Sequence, residues 1–131
     1  MALNPMNNAE PSYHHESIGG YHGAKLRRYQ DYIDFVLQPN QRRGPNKGAL
    51  DLMAGRYIIG QQALPGTESV YRDDRTGVQV FENPDALPRA FFVDAVEVES
   101  DTEVLWQRLR DASTNLRAKA LKHQPLEADL D

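Results

Sequence analysis

A single apolar stripe that ends at a proline does most to limit what this chain can fold into. Leu26, Tyr29, Ile33, Val36 and Leu37 recur at helical spacing, while Arg27, Arg28, Gln30, Asp31 and Asp34 fall largely on the other side. The pattern predicts a helix over residues 21–38, stopped by Pro39, whose ring and missing N–H cannot continue it. Such a stripe must be covered by another layer, so the rest of the chain has to provide one.

That layer reads as short strands. Residues 38–48, QPNQRRGPNKG, form a loop, and a short helix over 49–54 follows, with Gly55 as its C-terminal cap. Residues 56–60, RYIIG, are apolar and β-branched and read as a buried strand. Residues 69–72 and 78–81 form two more strands, joined by DDRTG as a hairpin turn with Gly77 at the position needing positive φ. After a proline-containing connector over 83–89, residues 90–99 give the clearest strand, with Phe92, Val96 and Val98 inward and Glu97 and Glu99 on the solvent face. Ser100 and Glu103 read as a capping box for a helix carrying Leu105, Trp106, Leu109 and Ala112. Residues 113–121 receive no assignment.

The order predicts an α+β fold, a small and mostly antiparallel sheet packed with two main helices. Residues 1–20 read as an irregular N-terminal segment, 21–121 as one domain and 122–131 as an acidic tail. The expected core joins Leu26, Tyr29, Ile33, Val36, Ile58, Val80, Phe92, Val96, Leu105 and Leu109. At 131 residues, 40% apolar and 26% charged, the chain fits one domain with its own core. No apolar run reaches the roughly 18 to 20 residues that span a bilayer, and residues 1–11 lack the basic start and apolar middle of a signal peptide. The absence of cysteine excludes disulfides, thiol catalysis and cysteine-based zinc sites.

Charge is unevenly spread: residues 1–20 carry −2, residues 21–56 carry +4 and residues 57–131 carry −6. A basic segment within an acidic chain fits an anionic partner such as phosphate or membrane head groups, and equally a solvated helix face. The segment SYHHESIGGYHGAK over residues 12–25 is the densest in chemistry. His14, His15, Glu16 and His22 are zinc-competent ligand types without a helical ligand spacing, so no metal site is expected. Gly19 and Gly20 allow close backbone approach before the helix, but GGYHGAK has neither nucleotide-loop spacing. Tyr21, Lys25 and Arg28 are spaced to share a helix face, with His22 beside it, and form the candidate ligand-binding set for an anionic or glycan partner. The competing reading buries Tyr21 and His22 to fix the angle of the helix. Asp73–Asp74 and Glu97/Glu99 read as structural acids, and nothing in the residue order identifies a catalytic group.

Three stretches resemble a known family. YHHESIGGYHGAKLRRYQDYI over residues 13–33 (Tyr13, His14 or His15, and Ile18 onward), LDLMAGRYII over 50–59 and NPDALPRAFFV over 83–93 are similar to segments in the extracytoplasmic part of YfhO-type bacterial membrane proteins. Those multi-spanning proteins belong to a superfamily of membrane glycosyltransferases that use lipid-linked sugars. The second stretch keeps only the pattern and a few identities, and the third marks the broader superfamily. The resemblance implies an accessory domain on the extracytoplasmic side of a bacterial membrane, with the catalytic carboxylate in a loop near membrane spans outside this sequence. It implies a non-catalytic fragment of a parent transferase, with no cofactor. Its partners would be the membrane portion of the parent and a lipid-linked sugar, glycan or anionic lipid, with no nucleic acid. The alternative is a self-contained soluble domain for protein interaction or small-ligand binding.

Overall fold

The computed structural model describes residues 16–19, 26–39, 44–111 and 113–124. Helix α1 spans Arg27–Tyr32 and runs directly into a π turn, Ile33–Leu37, closed by Gln38 N–H donating to the Ile33 carbonyl at 2.8 Å. Ahead of it Leu26 is extended (ψ 134°) and 78% exposed, so it is a cap position and not part of the stripe. Pro39 disfavours helical backbone at Gln38, and Gln38 leaves the helix at φ −128°. Ile33, Val36 and Leu37 bury the stripe as expected. Tyr29 and Tyr32 anchor its flank, donating their hydroxyls to the Ile18 carbonyl and, at 3.0 Å, to the Ala49 carbonyl. Burial raises both phenols above their ordinary pKa, with Tyr29 adding to the rise at Tyr32.

Helix α2 spans Lys47–Leu52, with the Asn46 side chain accepting from Ala49 N–H at its start. It ends with Gly55 N–H bonded to the Leu50 carbonyl (2.8 Å) and Ala54 N–H to the Asp51 carbonyl (3.1 Å). The left-handed residue of this closure is Ala54 (φ 56°), one position before the expected Gly55. Gly55 serves a different need, because a Cβ there would lie 2.9 Å from the Leu50 carbonyl oxygen and 3.1 Å from Ile18 Cδ1.

Strands β1 (Tyr57–Gly60), β2 (Glu68–Arg72) and β3 (Gln79–Glu82) form an antiparallel sheet in the order β1-β3-β2. The β2–β3 turn is as expected: Gly77 has φ 70°, and Asp73 accepts from Arg75 N–H and the Thr76 hydroxyl, which lowers its pKa. Phe81 is buried on the inner face and Ile58 packs against the core. β1 is not a buried strand, since Tyr57 and Ile59 are exposed, as is Tyr71 of β2 across β3, where Val80 pairs with both Ile59 and Tyr71.

The remaining elements form a β–α–β unit. β4 (Ala95–Val98) pairs parallel with β5 (Lys119–Lys122), and α3 (Thr102–Arg110) is the crossover. β5 falls in the segment left without assignment and runs one residue into the expected tail. α3 is capped by Asp101, which accepts from Glu103 and Val104 N–H at 2.8 and 3.1 Å, so the Ser100–Glu103 box does not form. Trp106 stacks on Phe35 (centroids 6.4 Å apart, planes at 25°), and Trp106 and Leu109 pack on the central cluster.

The fold is α+β with a small sheet. Its core is Ile33, Val36, Leu37, Ala49 and Leu50, with Phe81 and Leu87 also buried. Of the expected core, Tyr29, Ile58, Val80, Leu105 and Leu109 are half-buried, while Leu26, Phe92 and Val96 are exposed. The strand that should have buried Val96 is turned over. Glu97, expected in solvent, faces α3 and bonds Arg108 and Lys119, and Glu99 beside it is half-buried. No helix among the described residues is long and apolar enough to cross a membrane.

Candidate functional site

Among the described residues there is a groove where α2, the end of α3 and the loop leading to β5 meet, its surface more apolar than polar. Its volume is about 440 Å³, and Lys47, Asp51, Leu109, Arg110, Asn115 and Arg117 are among its lining residues. The α2 wall is held from behind by a buried asparagine. Asn83 is only 1% exposed; its Nδ2 donates to Asp51 Oδ1 at 2.6 Å and to the Gly55 carbonyl at 3.0 Å. Its Oδ1 accepts from Asp85 N–H at 3.3 Å, the turn expected of an Asn-Pro pair. Leu87 N–H donates to the Asp51 carbonyl, and Leu87 caps the core and reaches the groove.

Charges cross this wall in a chain. Lys47 Nζ is 3.3 Å from the Asp51 carboxylate and 2.7 Å from Asp85, while Arg117 donates to the Asp85 carbonyl at 2.7 Å. Burial pulls the Lys47 pKa down, but bonds and charge from Asp85 and Asp51 outweigh it, and the ammonium is held above its ordinary value. Asp85 is correspondingly lowered, first by its bond to Lys47. Arg110 differs. Its backbone carbonyl takes a bond from Asn46 Nδ2 (3.1 Å), but its half-buried guanidinium has no acceptor among the described residues. Ser113, Thr114 and Asn115 add short polar side chains to the opposite wall. Such a lining can hold a polar, oxygen-rich ligand with one negative charge at Arg110; it presents no arranged nucleophile and base.

Of the sequence candidates, Tyr21, His22 and Lys25 lie outside the described residues, as do His14 and His15. Arg28 is exposed on α1 and does not line the groove. Asp73 is consumed by its turn, Asp74 pairs with Arg72 at 3.3 Å, and Glu97 and Glu99 are drawn to Arg108. Among the described residues no three metal-ligating side chains cluster. Sequence reasoning missed Asn115 and Arg117 because the loop after α3 carried no periodic signal, and Arg110 because a basic residue in the last turn of a helix reads as an ordinary solvated charge. It also read 83–89 only as a connector; Asn-Pro marked a turn, but not the buried amide.

No family model matches the chain, and no match was found among curated proteins or solved structures.

Proposed function

We propose that this chain is a binding domain without chemistry of its own, the extracytoplasmic accessory domain of a YfhO-like multi-spanning membrane protein, contributing to recognition of a lipid-linked sugar or acceptor. The observation that carries the binding role is the groove with, on its wall, an Arg110 guanidinium that has no acceptor among the described residues. Supporting the family reading, the three resembling stretches meet in space: Ile18 of the first lies against Gly55 of the second, and Asn83 of the third reaches Asp51 and Gly55. A hydroxyl-rich sugar suits the Ser113–Thr114–Asn115 wall, and a phosphate suits Arg110. Tyr21, His22, Lys25 and Arg28 stand as a second contact for an anionic partner near the membrane.

The test is titration of the full chain with a short-chain polyprenyl phosphosugar. Arg110→Ala is expected to weaken binding about tenfold with the melting temperature unchanged, the size of one charge-assisted contact. Equal affinity removes the groove from the reading. Lys25→Ala/Arg28→Ala, assayed on phosphatidylglycerol vesicles, tests the second contact separately. A self-contained interaction domain is the alternative, favoured by the exposed Tyr57, Ile59 and Tyr71 on the outer sheet face.

A further inference from the structure

Parallel strands are ordinarily covered on both faces, because the helices of crossover connections pack against them. Among the described residues the β4–α3–β5 unit is covered on one. Its covered face carries charge, with Glu97 between Arg108 of α3 and Lys119 of β5, the latter at 2.7 Å. Its open face carries Val96 and Val98, 48% and 50% exposed, and the fully exposed Phe92 lies just before the strand. An amphipathic strand that turns its valines outward is a sheet lacking a neighbour.

The backbone agrees. Ala95 and Glu99 donate N–H groups to the Ala118 and Lys122 carbonyls, so odd-numbered residues of β4 face β5. Val96 and Val98 therefore turn their peptide groups to the outer edge, where no described residue bonds them. The chain around the edge, DAVEVESDTE over residues 94–103, holds five acids and no base, and Asp94, Asp101 and Glu103 are exposed. Only Glu97 and Glu99 lie near basic partners among the described residues.

We infer that β4 is a docking edge for an extended segment from outside this chain, apolar at alternate positions and basic between them, which adds as a third strand. Main-chain bonds to Val96 and Val98 would hold it, its apolar side chains would cover the two valines, and its cations would meet Asp94 and the acids after the strand. A second copy of this chain is disfavoured by charge. Even-numbered residues of one copy must face even-numbered residues of the other. An antiparallel copy centred on Glu97 therefore sets Glu97 opposite Glu97, and one centred on Val98 sets Glu97 opposite Glu99; like charges directly opposed are destabilising.

The experiment titrates the ¹⁵N-labelled full chain with a short peptide alternating Lys and Val and with its Glu-and-Val counterpart, reading amide shifts and hydrogen exchange. The Lys peptide is expected to bind saturably and to slow exchange at the Val96 and Val98 amides. Val96→Pro removes a donor that points only to the open edge, leaves the β4–β5 bonds in place, and should abolish that protection. Val96→Lys, at a half-exposed site, keeps the fold and should weaken binding about tenfold. Absence of protection at β4, equal binding of the Glu peptide, or unchanged binding by Val96→Lys overturns the proposal. Self-association of the chain that Val96→Lys dissolves also overturns it, in favour of a second copy.

Discussion

Asn83 ties three parts of the molecule together. Buried at the junction of α2, β3 and the following turn, it satisfies the Gly55 carbonyl, which leucine in its place would leave without a donor, and an Asp51 oxygen, which would keep only Lys47 at 3.3 Å. Asn83→Leu is therefore expected to lower unfolding free energy by about 2–4 kcal/mol in urea melts, the range for a lost charge-assisted bond with buried groups left unpaired. A few residues away, the closure of α2 makes the reverse prediction. Ala54 holds φ 56° without a glycine's freedom, so Ala54→Gly should stabilise by about 0.5–1 kcal/mol, net of the looser unfolded chain. Gly55→Ala should destabilise, because its Cβ meets the Leu50 carbonyl. Neither detail could be read from the sequence: MAGR announces a helix end, but which residue turns left-handed depends on how closely Leu50 and Ile18 approach.

At the level of elements, what the sequence made plain was local. The β2–β3 hairpin, the stop at Pro39 and the buried stripe of the first helix follow from turn chemistry and periodicity, which operate within a few residues. The β4 face was misread because alternation fixes two faces without naming the inner one. Val96 and Val98 look like core until Arg108, ten or more residues on, claims Glu97 for the inside. β5 was missed because Lys119–Lys122, KALK, is short and gains its strand form only beside β4. Lys119 first, and Arg108 with it, holds the Glu97 carboxyl down to about 2. A depressed carboxylate contributes stability that is complete above its unfolded pKa, near 4.5, and disappears as pH falls through about 2. The stability difference between the native chain and Glu97→Gln should thus be constant at neutral pH and shrink between pH 4.5 and 2. A difference independent of pH would remove Glu97 from the α3–β4–β5 contact. Asp101→Ala should cost about 1 kcal/mol and Ser100→Ala close to nothing, the order opposite to that implied by the capping box.

At the scale of the whole fold, the helices and the antiparallel sheet share one core, while among the described residues the groove, the outer sheet face and the β4 edge stay unfilled. Fold class was legible because the sequence of helical and extended patterns limits how layers can stack. The groove was not, since its walls come from α2, the turn after Asn83 and the loop after α3, brought together only by packing. Buried positions should bear most of the stability: Ile33→Ala is expected to cost about 2–4 kcal/mol and Phe92→Ala almost none, although both read as core from the pattern of residues alone. The account's central claim is that the groove receives a polar, anionic ligand. Amide shift mapping of the full chain with a short-chain polyprenyl phosphosugar tests it most directly. The expected result is saturable shifts confined to α2 and to residues 109–117, lost in Arg110→Ala. Shifts that spare those residues and fall at residues 21–28, or none at all, would contradict it.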